Sequence, residues 1–321
     1  MKLVTYSHRR HGSSSRIGVV QGDRVLDAAA LLRDAGIDDP PADMLDLLDR
    51  GPSLLDSLAA ASRDFADAHR ATLHIPPEIA LPLWETALLA PMTRPRSFRD
   101  FSGFEQHLAA AFSKRNRPVP PAWYEVPVFS FGHTGNLFGP DASVPKPALT
   151  EELDFELELA CVIGVGGRDI PADAALTHVA GYTVLNDWSA RDLQRQEMSV
   201  GLGPAKGKDF ATSLGPAIVT PDELAGRISA ETGTIDLWMT ARLNGEEVSR
   251  GNASELRWTI AQMIERASHN VDLLPGDLIG SGTVGTGCLL ELGESVHPWL
   301  VAGDDVELEI ERLGRLRNVI A

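Results

Sequence analysis

The chain has 321 residues and a formal net charge of −16, from 29 lysines and arginines against 45 aspartates and glutamates. Such an acidic chain repels phosphate backbones, which excludes nucleic acid as an expected partner. Apolar residues make up 43% of the chain, enough for a sizeable core. No apolar run approaches the roughly 18 residues that span a bilayer. Two cysteines, Cys161 and Cys288, exclude a disulfide scaffold, and without a CxxC pair they predict no cysteine-based zinc site.

The N-terminal quarter of the chain predicts short strands followed by helices. Its first 15 residues lack the apolar region of a signal peptide, so the sequence predicts a cytoplasmic protein without a membrane anchor. Strand-like segments within residues 2–27 meet at a hairpin turn formed by Gly22 and Asp23. Apolar residues at helical spacing then predict two helices, which end at Gly36 and Gly51, and a third one after Pro52.

Prolines cluster between residues 76 and 95, where they predict a linker rather than long regular elements. The chain is therefore expected to divide into a small N-terminal α/β domain, residues 1–88, and a larger domain, residues 89–321. Because strands and helices do not alternate regularly, the fold class expected for the chain is α+β and β-rich, and a doubly wound sheet is disfavoured.

The larger domain reads mainly as strands. Asn244-Gly245 predicts a two-residue hairpin turn, and residues 289–296 read as a strand. One amphipathic helix interrupts the strands. Its predicted cap is Asn252, with Glu255 three residues further on as in a capping box.

The most informative segment is an apolar strand that carries Glu156 and Glu158 on one face and Leu157 and Leu159 on the other. Two carboxylates on one face repel each other and are costly to bury, so the face is either exposed to solvent or compensated by a divalent cation. Oxygen ligands favour Mg²⁺, Mn²⁺ or Ca²⁺ over zinc. Asp187, after another apolar strand, is either a third ligand or a turn residue.

Four segments together resemble the successive motifs of the fumarylacetoacetate hydrolase family. They are Glu156-Leu-Glu158, NDWSARDLQ at 186–194, GKDF at 207–210 and LLPGDLIGSGT at 273–283. The resemblance runs from about residue 97 to the C-terminus, and its motif layout is that of the fumarylacetoacetase branch. It implies a mixed β-sandwich roll, usually a homodimer, that holds one divalent cation, with Mg²⁺ preferred, and acts on β-diketo or 2-oxo acids.

The resemblance also assigns roles to residues of this chain. The carboxylates it assigns to the cation are Asp100, Glu156, Glu158 and Asp187. The residues it assigns to catalysis are the general base His107, its orienting partner Glu291, and the oxyanion-stabilising Lys208 and Gln194.

Further residues are expected to line the substrate pocket. Arg115 and Thr283 match substrate-contacting positions, with Arg115 one residue out of step. Ser102 and Ser130 stand where the fumarylacetoacetase branch commonly has tyrosines, which would enlarge the pocket, and His133 is a candidate to refill it. The expected partner is a small keto or diketo acid other than fumarylacetoacetate itself.

These residues predict a divalent-metal-dependent hydrolase that cleaves a C–C bond in a β-diketo acid or acylpyruvate-like substrate. A cation chelated by a 1,3-dicarbonyl polarises the carbonyl, while His107 takes a proton from the attacking water. One alternative is an isomerase, tautomerase or decarboxylase of a 2-oxo or 2-hydroxydienoic acid in aromatic-compound catabolism. The other alternative is a catalytically silent metal-binding homologue.

Overall fold

The computed structural model describes residues 1–9, 14–69, 76, 78–229 and 231–321; Pro77 of the predicted linker lies outside them. The helices described are α1 (Ala28–Asp34), α2 (Met44–Asp49), α3 (Pro52–His69), α4 (Glu105–Ser113), α5 (Ala172–Ala175), α6 (Arg191–Met198), α7 (Ile260–Ser268) and α8 (Leu289–Leu292). None of these helices combines the length and the apolar character that crossing a bilayer requires.

The strands fall into an N-terminal set and a larger set. The first comprises β1 (Lys2–His8), β2 (Arg16–Gln21), β3 (Arg24–Asp27), β4 (Ala80–Pro82) and β5 (Thr86–Leu89). The second comprises β6 (Phe98–Phe101), β7 (Phe129–Gly132), β8 (Leu137–Phe138), β9 (Ser143–Val144), β10 (Leu153–Asp154), β11 (Leu157–Ile163), β12 (Val179–Asn186), β13 (Ser189–Ala190), β14 (Thr212–Val219), β15 (Trp238–Leu243), β16 (Glu246–Asn252), β17 (Leu278–Thr283), β18 (Asp305–Ile310) and β19 (Gly314–Ile320).

Among the described residues, twelve strands form one mixed sheet. Its order is β4-β3-β2-β1-β14-β12-β11-β17-β6-β7, with β5 paired to β1 and β8 to β14. The N-terminal strands join this sheet through antiparallel pairing of β1 with β14, in which Lys2 stands opposite Val219. A second sheet has the order β16-β15-β18-β19-β9. The predicted turns at Gly22-Asp23 and Asn244-Gly245 are confirmed, since they join β2 to β3 and β15 to β16.

Strand β11 separates two hydrophobic cores. Leu157 and Leu159 belong to the core shared with the second sheet. Ala160 and Val162, on the alternate face, belong to the core that holds α1, α2 and α3. The alternation predicted from the sequence is confirmed. The solvent-exposed alternative for the second face is wrong, because Glu158, which continues the Ala160 face, is 0% exposed.

Two predicted elements differ from the structure. Asn252 caps a short 3-10 turn by accepting a hydrogen bond from the Ser254 N–H, and not the helix. Helix α7 begins at Ile260, where Thr259 and Gln262 form the capping box. The backbone between Asn252 and Thr259 makes a tertiary contact and is not helical there, since the Arg257 N–H donates a hydrogen bond to the Gly103 carbonyl at 2.9 Å.

The second difference concerns residues 289–296, which read as a strand. Residues 289–292 instead form the short helix α8. The carboxylate of the buried Asp154 accepts hydrogen bonds from the N–H groups of Leu289, at 2.7 Å, and Leu290, at 3.0 Å. An acceptor of this kind satisfies the free N–H groups of a helix start, which explains the helix.

Candidate active site

Three strands of the large sheet, β6, β11 and β12, bring predicted metal ligands together. Asp100 lies in β6, Glu158 in β11 and Asp187 directly after β12. Strand β17 runs between β6 and β11, with Gly280 in register with Asp100. A Cβ atom at Gly280 would stand 2.8 Å from Asp100 Oδ1 and 3.1 Å from Glu158 Oε2. Glycine is therefore required where the two carboxylates approach each other.

A bulge in β17 directs a backbone donor at one of these carboxylates. The pairing of β11 with β17 shifts register between Glu158 and Ala160. Within the bulge Gly282 has a φ of 81°, a left-handed conformation that favours glycine. Its N–H donates to Glu158 Oε2 at 3.2 Å, and the Thr283 hydroxyl donates to Glu158 Oε1 at 3.3 Å. The bulge thus fixes the orientation of the Glu158 side chain.

A cleft of about 270 Å³ opens over these strand ends. The polar residues that line it include Asp100, Glu156, Glu158, His107, Lys208 and Thr283. The apolar residues that line it include Leu108, Phe112, Val128, Phe129 and Leu290. A ligand that combines oxygen-rich groups with an apolar part matches this lining.

Glu156 is the carboxylate with two cationic neighbours. Arg191 Nη2 lies 2.7 Å from Glu156 Oε1, and the Lys208 ammonium contacts Glu156 Oε2. Burial raises the pKa of Glu156, but the charges of Arg191 and Lys208 outweigh it and hold the pKa below its usual range. Glu156 is therefore held as a carboxylate.

Glu158 and Asp100 have the opposite surroundings. Burial, followed by the charges of Asp100 and Glu156, raises the pKa of Glu158 well above its usual value. Burial and the charge of Asp187 raise the pKa of Asp100 to about 7. Asp100 Oδ1 is buried and accepts no hydrogen bond. The charge of Lys208 lowers the pKa of Asp100 but does not offset burial, and the ion pairs that Lys208 forms within the described residues are with Glu156 and Asp187.

The four carboxylates fit a divalent cation. When all four are ionised, as metal binding requires, Asp100, Glu156, Glu158 and Asp187 bring four negative charges, whereas Lys208 supplies one positive charge and Arg191 divides its charge between Glu156 and Asp154. At least two negative charges remain in a buried region, where their compensation matters most. The donor atoms are carboxylate oxygens, the ligands preferred by Mg²⁺, Mn²⁺ and Ca²⁺.

A histidine and a glutamate from two short helices pair at the edge of the cleft. His107 Nδ1, on α4, lies 2.6 Å from Glu291 Oε1, on α8. Glu291 Oε2 accepts a hydrogen bond from the Thr286 N–H at 3.0 Å, which fixes the carboxylate. The other ring nitrogen, Nε2, lies 4.0 Å from Glu156 Oε1. The predicted base and its orienting partner are thus brought together, with one nitrogen facing the predicted metal ligands.

Two buried residues to which the sequence assigned no role, Asp154 and Arg191, connect both halves of the site. Arg191 Nε donates to Asp154 Oδ2 at 2.8 Å, and Arg191 Nη1 donates to Gln194 Oε1 at 3.1 Å. Asp154 also accepts the N–H groups at the start of α8, which carries Glu291. A signal was present, since Asp154 is an acidic residue two positions before Glu156 in an otherwise apolar strand segment.

The predicted substrate-contacting residues are placed as follows. Ser102, Arg115, Ser130, Gln194 and Thr283 line the cleft, with Arg115 Nη2 at 4.0 Å from Met198 Sδ. His133 follows β7, is exposed and does not line this cleft. The space left by Ser102 and Ser130 is bordered instead by Phe101 and Phe129, whose ring centroids are 4.9 Å apart.

Comparisons with known proteins show which family the chain resembles. A family model described as fumarylacetoacetate (FAA) hydrolase C-terminal matches residues 96–321. A human protein named oxaloacetate tautomerase FAHD2A, mitochondrial, is 35% identical over 244 residues, 75% of this chain and 71% of that protein. A fumarylacetoacetase of Oryza sativa subsp. japonica is 30% identical, with 94% of this chain and 87% of that protein covered.

Structural similarity extends over the whole chain. The fumarylacetoacetate hydrolase of Exiguobacterium antarcticum superposes with a TM-score of 0.73, covering 100% of this chain and 99% of the other, at 24% identity. The predicted α+β, β-rich fold class is therefore confirmed. Members of the family are enzymes that include hydrolases, oxaloacetate tautomerases and isomerases, and they generally bind a divalent metal. With a family model that matches well over half of its length, this chain belongs to the fumarylacetoacetate hydrolase family.

Proposed function

We propose that the chain is a divalent-metal-dependent hydrolase that cleaves a C–C bond in a β-diketo acid or acylpyruvate-like substrate. The observation that carries this proposal is the His107–Glu291 pair beside the carboxylate-lined cleft, with Nδ1 and Oε1 2.6 Å apart. When Nδ1–H donates to Glu291, Nε2 carries no proton and is available as a base. A base that faces the predicted metal ligands is suited to activating water.

The chain's residues divide the reaction between them. Asp100, Glu156, Glu158 and Asp187 would hold the cation, which when bound supplies Lewis-acid polarisation of the dicarbonyl. His107 takes a proton from water, the water oxygen bonds to the carbonyl carbon, and the neighbouring C–C bond breaks. The proton on His107 then passes to the departing carbon, which balances the reaction. Lys208 and Gln194, both at the cleft wall, are placed to donate to the oxygen that becomes negative.

A second candidate function is tautomerase chemistry on a 2-oxo acid such as oxaloacetate. It is favoured by the human relative, which is 35% identical and is named an oxaloacetate tautomerase. In that reaction the same histidine would move a proton between carbon and oxygen without attack by water. Isomerisation or decarboxylation of a related acid would use the same residues. Magnesium as the cation, a homodimer and a cytoplasmic location remain predictions.

Product mass distinguishes these reactions. The purified protein is incubated with acylpyruvates, β-diketo acids and oxaloacetate, each with Mg²⁺ or Mn²⁺ and again with EDTA. Two acids whose masses sum to substrate plus water, formed only with the cation, are expected. Loss of CO₂ would replace the hydrolase by a decarboxylase. Unchanged mass in H₂O, with cation-dependent deuterium uptake at C3 of oxaloacetate in D₂O, would replace it by a tautomerase. No cation-dependent product would contradict the proposal.

A further inference from the structure

A buried thiol lies beside the His107–Glu291 pair and has no part in the proposed reaction. Cys288 Sγ is 3.8 Å from His107 Nδ1 and 3.7 Å from Glu291 Oε1. The donor atoms of these three residues all lie within 4.8 Å of one another. Within the described ranges this is the one group of histidine, cysteine and acidic side chains gathered so closely. Cys288 and Glu291 are three residues apart at the start of α8, whereas His107 comes from a distant segment, so the sequence contains no CxxC-like pattern for the group.

The spacing of these donors matches a tetrahedral zinc ion. Zinc bonds to sulfur at about 2.3 Å and to nitrogen or carboxylate oxygen at about 2.0–2.2 Å, which puts neighbouring ligand atoms about 3.5 Å apart. The two separations from Cys288 Sγ are close to this value. The third separation, 2.6 Å between His107 Nδ1 and Glu291 Oε1, is shorter than this value. It would have to increase by about 1 Å for both atoms to bind one zinc ion.

The surrounding helix leaves room for such an adjustment. Helix α4, which carries His107, has no buried residue. The His107 side chain is 15% exposed toward the cleft, whereas Cys288 is fully buried. A small outward movement of α4 would therefore separate the imidazole from Glu291, and the core contact it would loosen is that of the partly buried Leu108. A water from the cleft would complete four ligands.

We propose that His107, Cys288 and Glu291 form a binding site for a thiophilic divalent cation, Zn²⁺, distinct from the site of the four carboxylates. On binding, the thiol proton passes to solvent and the imidazole proton moves from Nδ1 to Nε2. The two charges of the ion are balanced by one thiolate and one carboxylate, and no electron transfer is involved. Because Nε2 then carries a proton, His107 can no longer act as a base. Zn²⁺ therefore inhibits the proposed hydrolysis.

This site differs chemically from the predicted catalytic cation site. The latter offers oxygen donors only, which suit Mg²⁺, while sulfur and imidazole nitrogen select zinc and similar ions. Binding of Zn²⁺ does not depend on the proposed function, although inhibition does. The proposal can therefore be tested by spectroscopy as well as by turnover.

The two cysteines of the chain allow a matched experiment. The holoenzyme, saturated with Mg²⁺, is titrated with Co²⁺ as a spectroscopic probe and with Zn²⁺, as wild type, Cys288→Ser and Cys161→Ser. Serine is a favourable residue at the start of a helix, the position of Cys288, and Cys161 is a buried control in β11. One equivalent of Co²⁺ should give a sulfur-to-cobalt charge-transfer band in wild type and Cys161→Ser but not in Cys288→Ser.

X-ray absorption of the Zn²⁺ complex should show one sulfur neighbour at about 2.3 Å. Half-inhibition by Zn²⁺, normalised to the turnover of each variant without zinc, should need at least about tenfold more zinc in Cys288→Ser than in Cys161→Ser. Absence of the charge-transfer band in wild type would overturn the proposal. Equal inhibition of the two variants, with no charge-transfer band in either, would also overturn it and would assign zinc to the carboxylates. If no substrate turns over, the two spectra still decide the question.

Discussion

Glu156 and Glu158 are two positions apart, yet the structure gives them opposite electrostatic surroundings. Arg191 and the Lys208 ammonium accompany Glu156. Glu158 instead faces the carboxylate of Asp100, and burial together with that charge raises its pKa. Replacing either glutamate by glutamine should remove a metal ligand, but the effects on folding stability should have opposite signs.

For Glu158→Gln we expect the metal-free protein to become more stable above the ordinary glutamate pKa of 4.5. A group whose pKa is raised by folding disfavours the folded state once the unfolded chain ionises, and glutamine removes this effect. The melting temperature at pH 7 should rise by about 2–4 °C for each kcal/mol recovered, and the gain should vanish below pH 4. Titration with Mn²⁺ should show at least about tenfold weaker binding.

Glu156→Gln is the matched control. It leaves the buried Arg191 and Lys208 with one anionic partner fewer, which should cost on the order of 3 kcal/mol. Urea unfolding of the metal-free proteins compares the two variants. A stability loss of equal size in both would contradict the opposite surroundings of the two glutamates.

The histidine pair supports a separate prediction. His107→Asn and Glu291→Gln should each lower turnover by about 10²–10⁴-fold, the usual contribution of a general base. Binding of Mn²⁺ should change by less than about threefold, because neither residue is among the four carboxylates. Calorimetric titration with Mn²⁺ beside steady-state kinetics separates the two effects. Turnover that survives both substitutions would remove the pair from the mechanism.

At the residue scale, most of the candidate site could be predicted from the sequence. The four carboxylates, His107 and Glu291 stand in recognisable motifs. Asp154 and Cys288 act through contacts between distant segments, and no local pattern reports such contacts. His133 was a candidate for refilling the space at Ser102 and Ser130; it is exposed, follows β7 and is not among the residues that line the cleft.

At the scale of elements, helix α8 depends on one buried carboxylate. Asp154 accepts two N–H groups at the start of α8 and also pairs with Arg191 at 2.8 Å. Asp154→Asn should lower stability by about 3–5 kcal/mol, because it removes one partner of a buried ion pair. Turnover should also fall at least tenfold, since Glu291 would lose its orientation.

Asp192→Asn provides a comparison. Asp192 accepts hydrogen bonds from the Thr150 hydroxyl and the Glu151 N–H but is only partly buried. We expect a cost of about 1 kcal/mol there and normal turnover. Denaturant unfolding and steady-state kinetics are measured for both variants. Equal losses of stability and turnover would show that Asp154 is not needed to hold α8 and orient Glu291.

The same carboxylate explains why one predicted element was wrong. Residues 289–296 contain apolar residues that are typical of a strand. A strand would not direct neighbouring N–H groups together at the Asp154 carboxylate, whereas the start of a helix does. The helix capped at Asn252 was wrong for a related reason. Two capping signals, at Asn252 and Thr259, lie seven residues apart. The helix begins at the second one because the Arg257 N–H, which lies between them, donates its hydrogen bond to the Gly103 carbonyl and not within a helix. Neither tertiary contact is visible in local sequence.

At the scale of the whole molecule, the predicted boundary near residue 88 crosses a continuous sheet. Strand β1 pairs with β14, and the core around α1, α2 and α3 includes Ala160 and Val162 of β11. The two-domain division remains a prediction. The hydrogen bonds between β1 and β14 indicate that residues 89–321 need residues 1–88 for stable folding.

Removal of residues 1–88 tests this dependence. We expect residues 89–321 alone to be poorly soluble or to bind a hydrophobic dye, because Ile218 and Leu214 of β14 would lose their apolar cover. The full chain under the same conditions is the control. A soluble fragment with a cooperative thermal transition would show that residues 89–321 fold independently.

Strand β11 also links the N-terminal helices to the proposed chemistry. Ala160 rests on the N-terminal core, and Glu158 is the next residue on the same face of the strand. A change of packing beneath Ala160 is thus transmitted along a rigid backbone to a carboxylate oxygen. Laboratory evolution for turnover at scarce magnesium should accordingly enrich substitutions in α1–α3, far from any substrate atom. The segment that lies outside the matched family model would then be the one through which the protein's requirement for the cation is adjusted.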